Sequence, residues 1–155
     1  MSSQEDICTA AQNGDIDRLS QLIAAKANLD VKDTWGYSPL DWAANNGHAN
    51  AVQMLVDAKA TVDIKDNNEW TPLHKATYGG HSHAAQVLIV ARADITIRNK
   101  DGKTALQYAE SNKKTDTANL LRAADTIRSF NVASNVTSDA VQQVLAWKGS
   151  LEWRT

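Results

Sequence analysis

One spacing dominates this chain. The stretch Ala25-Lys26-Ala27-Asn28-Leu29-Asp30-Val31-Lys32-Asp33 returns as Ala58-Lys59-Ala60-Thr61-Val62-Asp63-Ile64-Lys65-Asp66, then as Ala91-Arg92-Ala93-Asp94-Ile95-Thr96-Ile97-Arg98-Asn99. The offset is 33 residues both times (58 − 25 and 91 − 58). A second anchor keeps the same interval: Ser38-Pro39-Leu40, Thr71-Pro72-Leu73 and Thr104-Ala105-Leu106. A fixed period of this length means that each unit is one supersecondary element that cannot bury its own apolar face. Successive units must stack in a line and share a core.

The contents of one period are readable. Thr71 before Pro72 predicts a helix N-cap with proline at the first helical position. The helix runs to about Tyr78, where Gly79-Gly80 breaks it. A second helix is predicted over 82–91, with Ala85, Leu88 and Ile89 on one face at helical spacing. Polar turns around Asn67-Asn68 and Lys100-Asp101-Gly102 join one unit to the next.

Three groups of residues, Thr71-Pro72-Leu73-His74, Gly80-His81 and Ala93-Asp94, closely resemble the signature of the ankyrin-repeat family. The unit before it, from Gly36-Tyr37-Ser38-Pro39-Leu40-Asp41 to Gly47-His48, resembles that signature nearly as well. The resemblance covers about residues 6–124. It implies an all-α fold: an ankyrin-repeat solenoid of stacked helix–turn–helix units with β-turn or hairpin tips, followed by a C-terminal helical extension. The expected organisation is a tail over 1–5, units at 6–32, 33–65, 66–98 and 99–124, and an extension over 125–155. The first and last units are the caps, and in the last Lys113-Lys114 replace Gly-His.

Two departures from the family pattern carry physical expectations. The family usually has glycine where the second helix ends and the backbone turns left-handed. Lys26, Lys59 and Arg92 stand there instead. A side chain in that conformation costs about 1 kcal/mol, partly offset by a basic group near a helix C-terminus. These residues are either tolerated C-caps or a basic ladder facing an acidic partner. Glu69 likewise replaces a turn glycine, so its turn should be strained or shaped differently from those at Gly36 and Gly102.

Beyond residue 124 the period stops, and 125–134 shows no clear pattern. Ser138-Asp139 predicts the start of a helix over 138–148, with Val141, Val144, Leu145 and Lys148 on one face and Trp147 beside them. This helix either seals the stack, or binds a partner or a second copy of the chain, or stays disordered.

Composition narrows the chemistry. The formal charge is −2, with 16 basic against 18 acidic residues, so no field draws in nucleic acid or an anionic membrane. The longest apolar stretch, 87–91, falls far short of the roughly 20 residues that span a bilayer. The single cysteine, Cys8, suits a reducing compartment, and no signal peptide is visible, so a cytoplasmic or nuclear protein is expected. No phosphate-cradling loop, nucleophile elbow or paired-carboxylate motif appears. His48, His74 and His81 occupy places where the resemblance implies structural histidines bonded to turn backbones. His81 and His83 do not share a helix face, so no metal or other cofactor is expected.

The resemblance implies instead a non-enzymatic module that holds another protein. Family members bind through the turn tips and the exposed side of the first helices. Carried over to this sequence, the tips are Thr34, Trp35, Tyr37, Asn67, Asn68, Trp70, Lys100, Asp101 and Lys103. The helix positions are Gln12, Asn13, Asn45, Asn46, Tyr78, Gly79, Ser111 and Asn112. Trp35, Tyr37, Trp70 and Tyr78 would cluster on one groove, and tryptophan and tyrosine are the residue types enriched at binding hot spots. A second reading has the same rings packing on the neighbouring tip and stiffening it.

Trp42 and Tyr108 are expected in the core between units. Lys75 holds the same place in the unit between them. Its ammonium either reaches water or pairs with a groove carboxylate such as Asp41 or Asp101. The expected partner is another protein, with no nucleic acid and no membrane insertion. The chain is expected to be monomeric unless it self-associates through the extension. The alternative is a targeting or autoinhibitory domain of a larger enzyme or regulatory complex, like the small ankyrin inhibitors of kinases or regulators of transcription factors.

Overall fold

A computed structural model describes residues 3–134, with side-chain surroundings over 6–130. Among the described residues eight helices run in chain order: α1 (Ser3–Asn13), α2 (Ile16–Ala24), α3 (Pro39–Asn45), α4 (Ala49–Asp57), α5 (Pro72–Gly79), α6 (Ser82–Val90), α7 (Ala105–Ser111) and α8 (Thr115–Ser134). They form four antiparallel pairs stacked in two layers. The inner layer packs α1 on α3, α3 on α5 and α5 on α7, while the outer layer packs α2 on α4, α4 on α6 and α6 on α8. The described residues contain no strand.

The inner helices start the same way because the sequence repeats the same cap. Ser38, Thr71 and Thr104 each accept a hydrogen bond from the backbone N–H three residues on, and Asp41, His74 and Gln107 bond back to the cap. Between the layers lie small and branched residues at helical spacing: Ala43 and Ala44 on α3, Ala51, Val52 and Leu55 on α4, Ala84, Ala85 and Leu88 on α6, all fully buried. Alanine at the contacts lets neighbouring helices approach closely, and leucine and valine fill the remaining space. The expected buried face of Ala85, Leu88 and Ile89 is buried.

Left-handed backbone recurs with the same period. Lys26, Lys59 and Arg92 have φ of 57°, 74° and 67° after the outer helices, as their place required. Glu69 sits at φ 61°, in the same region as Gly36 at 79° and Gly102 at 72°. Its turn is therefore the strained version of its neighbours', not a different turn. Gly14 and Gly47 are among the glycines that need their lack of a side chain for space as well. A Cβ on Gly14 would lie 2.7 Å from His48 Nδ1, and one on Gly47 would lie 2.5 Å from His81 Nδ1.

The last unit departs from the expected boundary. By the period, position 125 is where the chain should turn left-handed, yet α8 continues through to Ser134. Residues 125–134 hold neither glycine nor proline, so nothing local ends the helix. Ile127 packs partly buried on the core. The helix expected over 138–148 lies outside the described residues.

Candidate interaction cleft

Each tip is tied to its own unit by one Asx side chain. Asp33 Oδ1 accepts the N–H groups of Trp35 and Tyr37, both at 2.9 Å. Asp66 Oδ1 accepts those of Asn68 and Trp70 at 2.8 and 2.9 Å. Asn99 Oδ1 accepts those of Asp101 and Lys103, both at 3.1 Å. The backbone N–H of each of these three residues bonds to the carbonyl of Tyr37, Trp70 or Lys103, closing a hairpin-like tip. Adjacent tips are joined in turn: Asn67 N–H donates to the Trp35 carbonyl at 3.4 Å and Lys100 N–H to the Asn68 carbonyl at 3.1 Å.

The second polar atom of each Asx reaches the inner helix of its unit. Trp42 Nε1–H donates to Asp33 Oδ2 at 2.9 Å. Lys75 Nζ donates to Asp66 Oδ2 at 2.5 Å. Asn99 Nδ2 donates to the Tyr108 hydroxyl at 2.9 Å. The same two positions, 33 residues apart in successive units, thus form three clasps with an indole, an ammonium and a phenol. These clasps settle the roles of three side chains. Tyr108 is buried as expected, and Trp42 is partly buried against the core. Lys75, only 4% exposed, pairs with a groove carboxylate as the second expectation had it, but the carboxylate is Asp66 rather than Asp41 or Asp101. Asp66 has an oxygen left over after anchoring its turn, whereas Asp101 Oδ2 already accepts from the Tyr108 hydroxyl at 2.8 Å.

Above the central clasp opens a cleft of about 450 Å³. The Lys75 ammonium sits 3.6 Å from the centre of the Tyr37 ring and 5.1 Å from that of Trp70. Two electron-rich faces and one carboxylate therefore surround a buried cation. Of the residues singled out from sequence, Tyr37, Asn45, Asn68, Trp70, Tyr78, Lys100 and Asp101 line this cleft. Sequence reasoning missed Asp66 and Lys75 as its floor. The signal for them was present in the recurrence of Asp33, Asp66 and Asn99.

The other singled-out residues do not line it. Trp35, 63% exposed, stands out on its tip with its edge on Trp42, ring centres 6.1 Å apart. Asn67 Nδ2 donates to the Thr34 carbonyl, stitching two tips. Lys103 Nζ lies 5.3 Å from the centre of the Tyr108 ring. Asn46 Nδ2 donates to the Gln12 carbonyl at 2.8 Å, and Asn112 Nδ2 to the Tyr108 carbonyl at 2.9 Å. Ser111 Oγ donates to the Gln107 carbonyl at 2.7 Å. The side chains of Asn46, Ser111 and Asn112 are spent on helix ends.

The rings both pack on one another and leave surface open. Trp70 packs on Tyr108 at 4.7 Å and on Tyr78 at 5.4 Å, so it stiffens its neighbours. Tyr78 nevertheless remains 53% exposed.

The family model described as ankyrin repeats (3 copies) matches residues 7–99 and, overlapping that span, 60–131. The chain belongs to the ankyrin-repeat family. No curated protein matches it by sequence. Ankyrin repeats generally serve as protein–protein interaction modules and are typically non-enzymatic.

The histidines of these ankyrin units act as struts. His48 Nε2 lies 3.0 Å from the Gln12 carbonyl and His81 Nε2 3.0 Å from that of Asn45. A carbonyl only accepts, so Nε2 carries the proton in both rings. His74 Nε2 donates likewise to the Lys103 carbonyl at 3.0 Å, while its Nδ1 accepts from the Thr71 hydroxyl at 2.9 Å. Burial holds the His74 pKa below its ordinary value.

Asp41 takes the place of His74 in the preceding unit and is too short for the same span. Its Oδ2 accepts from the N–H and hydroxyl of Ser38, both at 2.9 Å, while its buried Oδ1 has no partner. Burial pushes this carboxyl up to about 7. Burial, with the charges of Asp33 and Asp41, pushes the Cys8 thiol up to about 11, the opposite of an activated nucleophile. Among the described residues no cluster of three or more histidine, cysteine or acidic side chains is placed to hold a metal ion. No described helix is long and apolar enough to cross a membrane.

Proposed function

We propose that this ankyrin stack is a non-enzymatic binding module that grips a partner protein through the cleft above Lys75 and the tips beside it. One observation carries the reading. The cleft presents rings of Tyr37, Trp70 and Tyr78 over a floor already neutralised by the Asp66–Lys75 pair. Exposed aromatic surface held rigid from below is what a hot spot needs, because little entropy remains to be lost on binding. Trp35 extends the surface along the neighbouring tip. Asn45, Asn68, Lys100 and Asp101 supply polar contacts at the rim. The proposal extends to a cytoplasmic or nuclear setting, consistent with a lone thiol.

The test uses the full chain as bait against a double variant, Trp35→Ala with Tyr78→Ala. Both rings are more than half exposed, so helical circular dichroism should be unchanged and the melting temperature should fall only by the few degrees their edge contacts with Trp42, Trp70 and Tyr108 contribute. Trp70 is unsuitable, because its ring packs on His74, Tyr78 and Tyr108. A specific prey retained by wild type should be lost with the double variant. Equal capture by a folded variant would remove the aromatic surface from the function.

A further inference from the structure

The last unit leaves one apolar contact of the stack unfinished. Ile7, Leu40 and Leu73 stand 33 residues apart on the inner helices, and each is at most 1% exposed. The next unit covers them, since α1 packs on α3, α3 on α5 and α5 on α7. Leu106 holds the same position on α7, yet it is only partly buried. A capping unit usually turns a polar face outward at such a place. Here a groove of about 190 Å³ opens instead, with Ile95, Leu106 and Leu121 as its floor. Its rim carries one charge of each sign, Arg98 and Asp125. Arg98 uses only Nη1, on the Gly102 carbonyl and Gln107 Oε1. The Asp125 carboxylate has no partner among the described residues. The groove shares no lining residue with the cleft above Lys75.

The sequence beyond α8 supplies what this groove lacks. The pattern over 138–148 puts Val141, Val144, Leu145 and Lys148 on one helical face. The lengths also agree. From Ser134 back to Asp125 is nine residues of α8 (134 − 125), about 14 Å at the rise of an α-helix. A helix over 138–148 spans about 15 Å, and residues 135–137 are enough for the turn between two antiparallel helices. Running back along α8, it brings Leu145 and Lys148 level with the groove. Its charges match the rim: Lys148 suits Asp125, and Glu152 just beyond suits Arg98. We infer that residues 138–148 fold back antiparallel to α8 and close the end of the stack, with Leu145 over Leu106 and Leu121 and Lys148 on Asp125. The short tether favours this occupant over a second copy or a separate protein, because it presents the segment at a roughly millimolar effective concentration.

The experiment places a nitroxide on the segment in the full chain. Cys8→Ala removes the only cysteine, and Ala146→Cys carries the label off the apolar stripe. Methyl resonances of Ile95, Leu106 and Leu121 should broaden, while those of Leu19 and Leu22 in the first unit stay sharp. Nitroxide-bearing chain mixed with isotopically labelled, nitroxide-free chain should broaden nothing. Sharp end-groove methyls overturn the inference and leave the groove to another protein. Broadening in the mixture overturns it in favour of a second copy. Thermal unfolding gives an independent measure. Leu145→Ala should lower the melting temperature by about 2–6 °C. Combined with Leu106→Ala it should cost less than the sum of the two single changes, because both remove one shared contact. Strictly additive losses, or no loss from Leu145→Ala, overturn the inference as well.

Discussion

Asp41→Asn should make the protein more stable at neutral pH, by an amount that depends on pH in a defined way. The Asp41 carboxyl is fully buried, with Oδ1 unpartnered and a pKa raised from 3.8 to about 7. As pH rises above 4 the unfolded chain loses this proton first, so the folded state binds more protons and stability falls until pH 7 is passed. Three pKa units at 1.36 kcal/mol each set the full loss on the order of 4 kcal/mol. Asparagine cannot ionise, and its amide oxygen can keep both Ser38 bonds. Its amide nitrogen then occupies the site of the orphan oxygen, and a buried donor left unpaired costs about 1–3 kcal/mol. The net expectation is a gain of about 1–3 kcal/mol at pH 8 that turns into a loss of about 0.5–2.5 kcal/mol at pH 4, where almost none of the ionisation cost remains to be relieved. The assay is urea unfolding of both proteins at several pH values, read as the difference between them. Taking the difference removes His74, which acts in the opposite sense. Its lowered pKa gives stability present above 6.5 and lost as the pH falls below it. A difference that stays constant from pH 4 to 8, or an asparagine variant less stable at pH 8, would refute the argument.

Three more predictions follow from the same geometry. Lys75→Met should destabilise by about 3–5 kcal/mol, because it leaves the Asp66 carboxylate buried without its cation. Adding Asp66→Asn should recover most of that loss in denaturant titrations, since asparagine serves the same turn at position 99. Glu69→Gly should gain about 1 kcal/mol by relieving a side chain at φ 61°, visible as a melting temperature a few degrees higher. Cys8, raised from 9.0 to about 11, should react with a disulfide reagent at pH 7.5 about a hundredfold more slowly in the folded protein than in urea.

The period, the caps and the helix pairs were legible because each rests on local chemistry that repeats: proline after serine or threonine, glycine at the inner turn, alanine and leucine at helical spacing. The left-handed positions of Lys26, Lys59 and Arg92 were legible for the same reason, since the alignment of units transfers backbone shape without regard to side chain. The cleft was legible only in outline. Tyr37, Trp70 and Tyr78 do share it, but Trp35 turns onto Trp42, because an edge-on contact within its own unit was available. Ser111 and Asn112 looked free in sequence but bond back to carbonyls four residues earlier in their own helix, whereas Asn46 reaches the Gln12 carbonyl of the neighbouring unit, which no linear pattern displays. The continuation of α8 past 124 was misread because the period was followed beyond the last point where another unit had to begin.

The three clasps show how a repeat separates what is fixed from what is variable. At 33, 66 and 99 an Asx is required, since one oxygen must hold two backbone N–H groups for the tip to form. At 42, 75 and 108 only a donor or hydroxyl of the right reach is required, and indole, ammonium and phenol all meet it. The outer clasps complete their bond with aromatic rings, which close the space above them. Lysine completes the same bond with a thin stem and leaves its ammonium under the rings of Tyr37 and Trp70, so the space above the central clasp stays open. The cleft therefore lies where the repeat departs in side-chain volume while keeping its hydrogen bond.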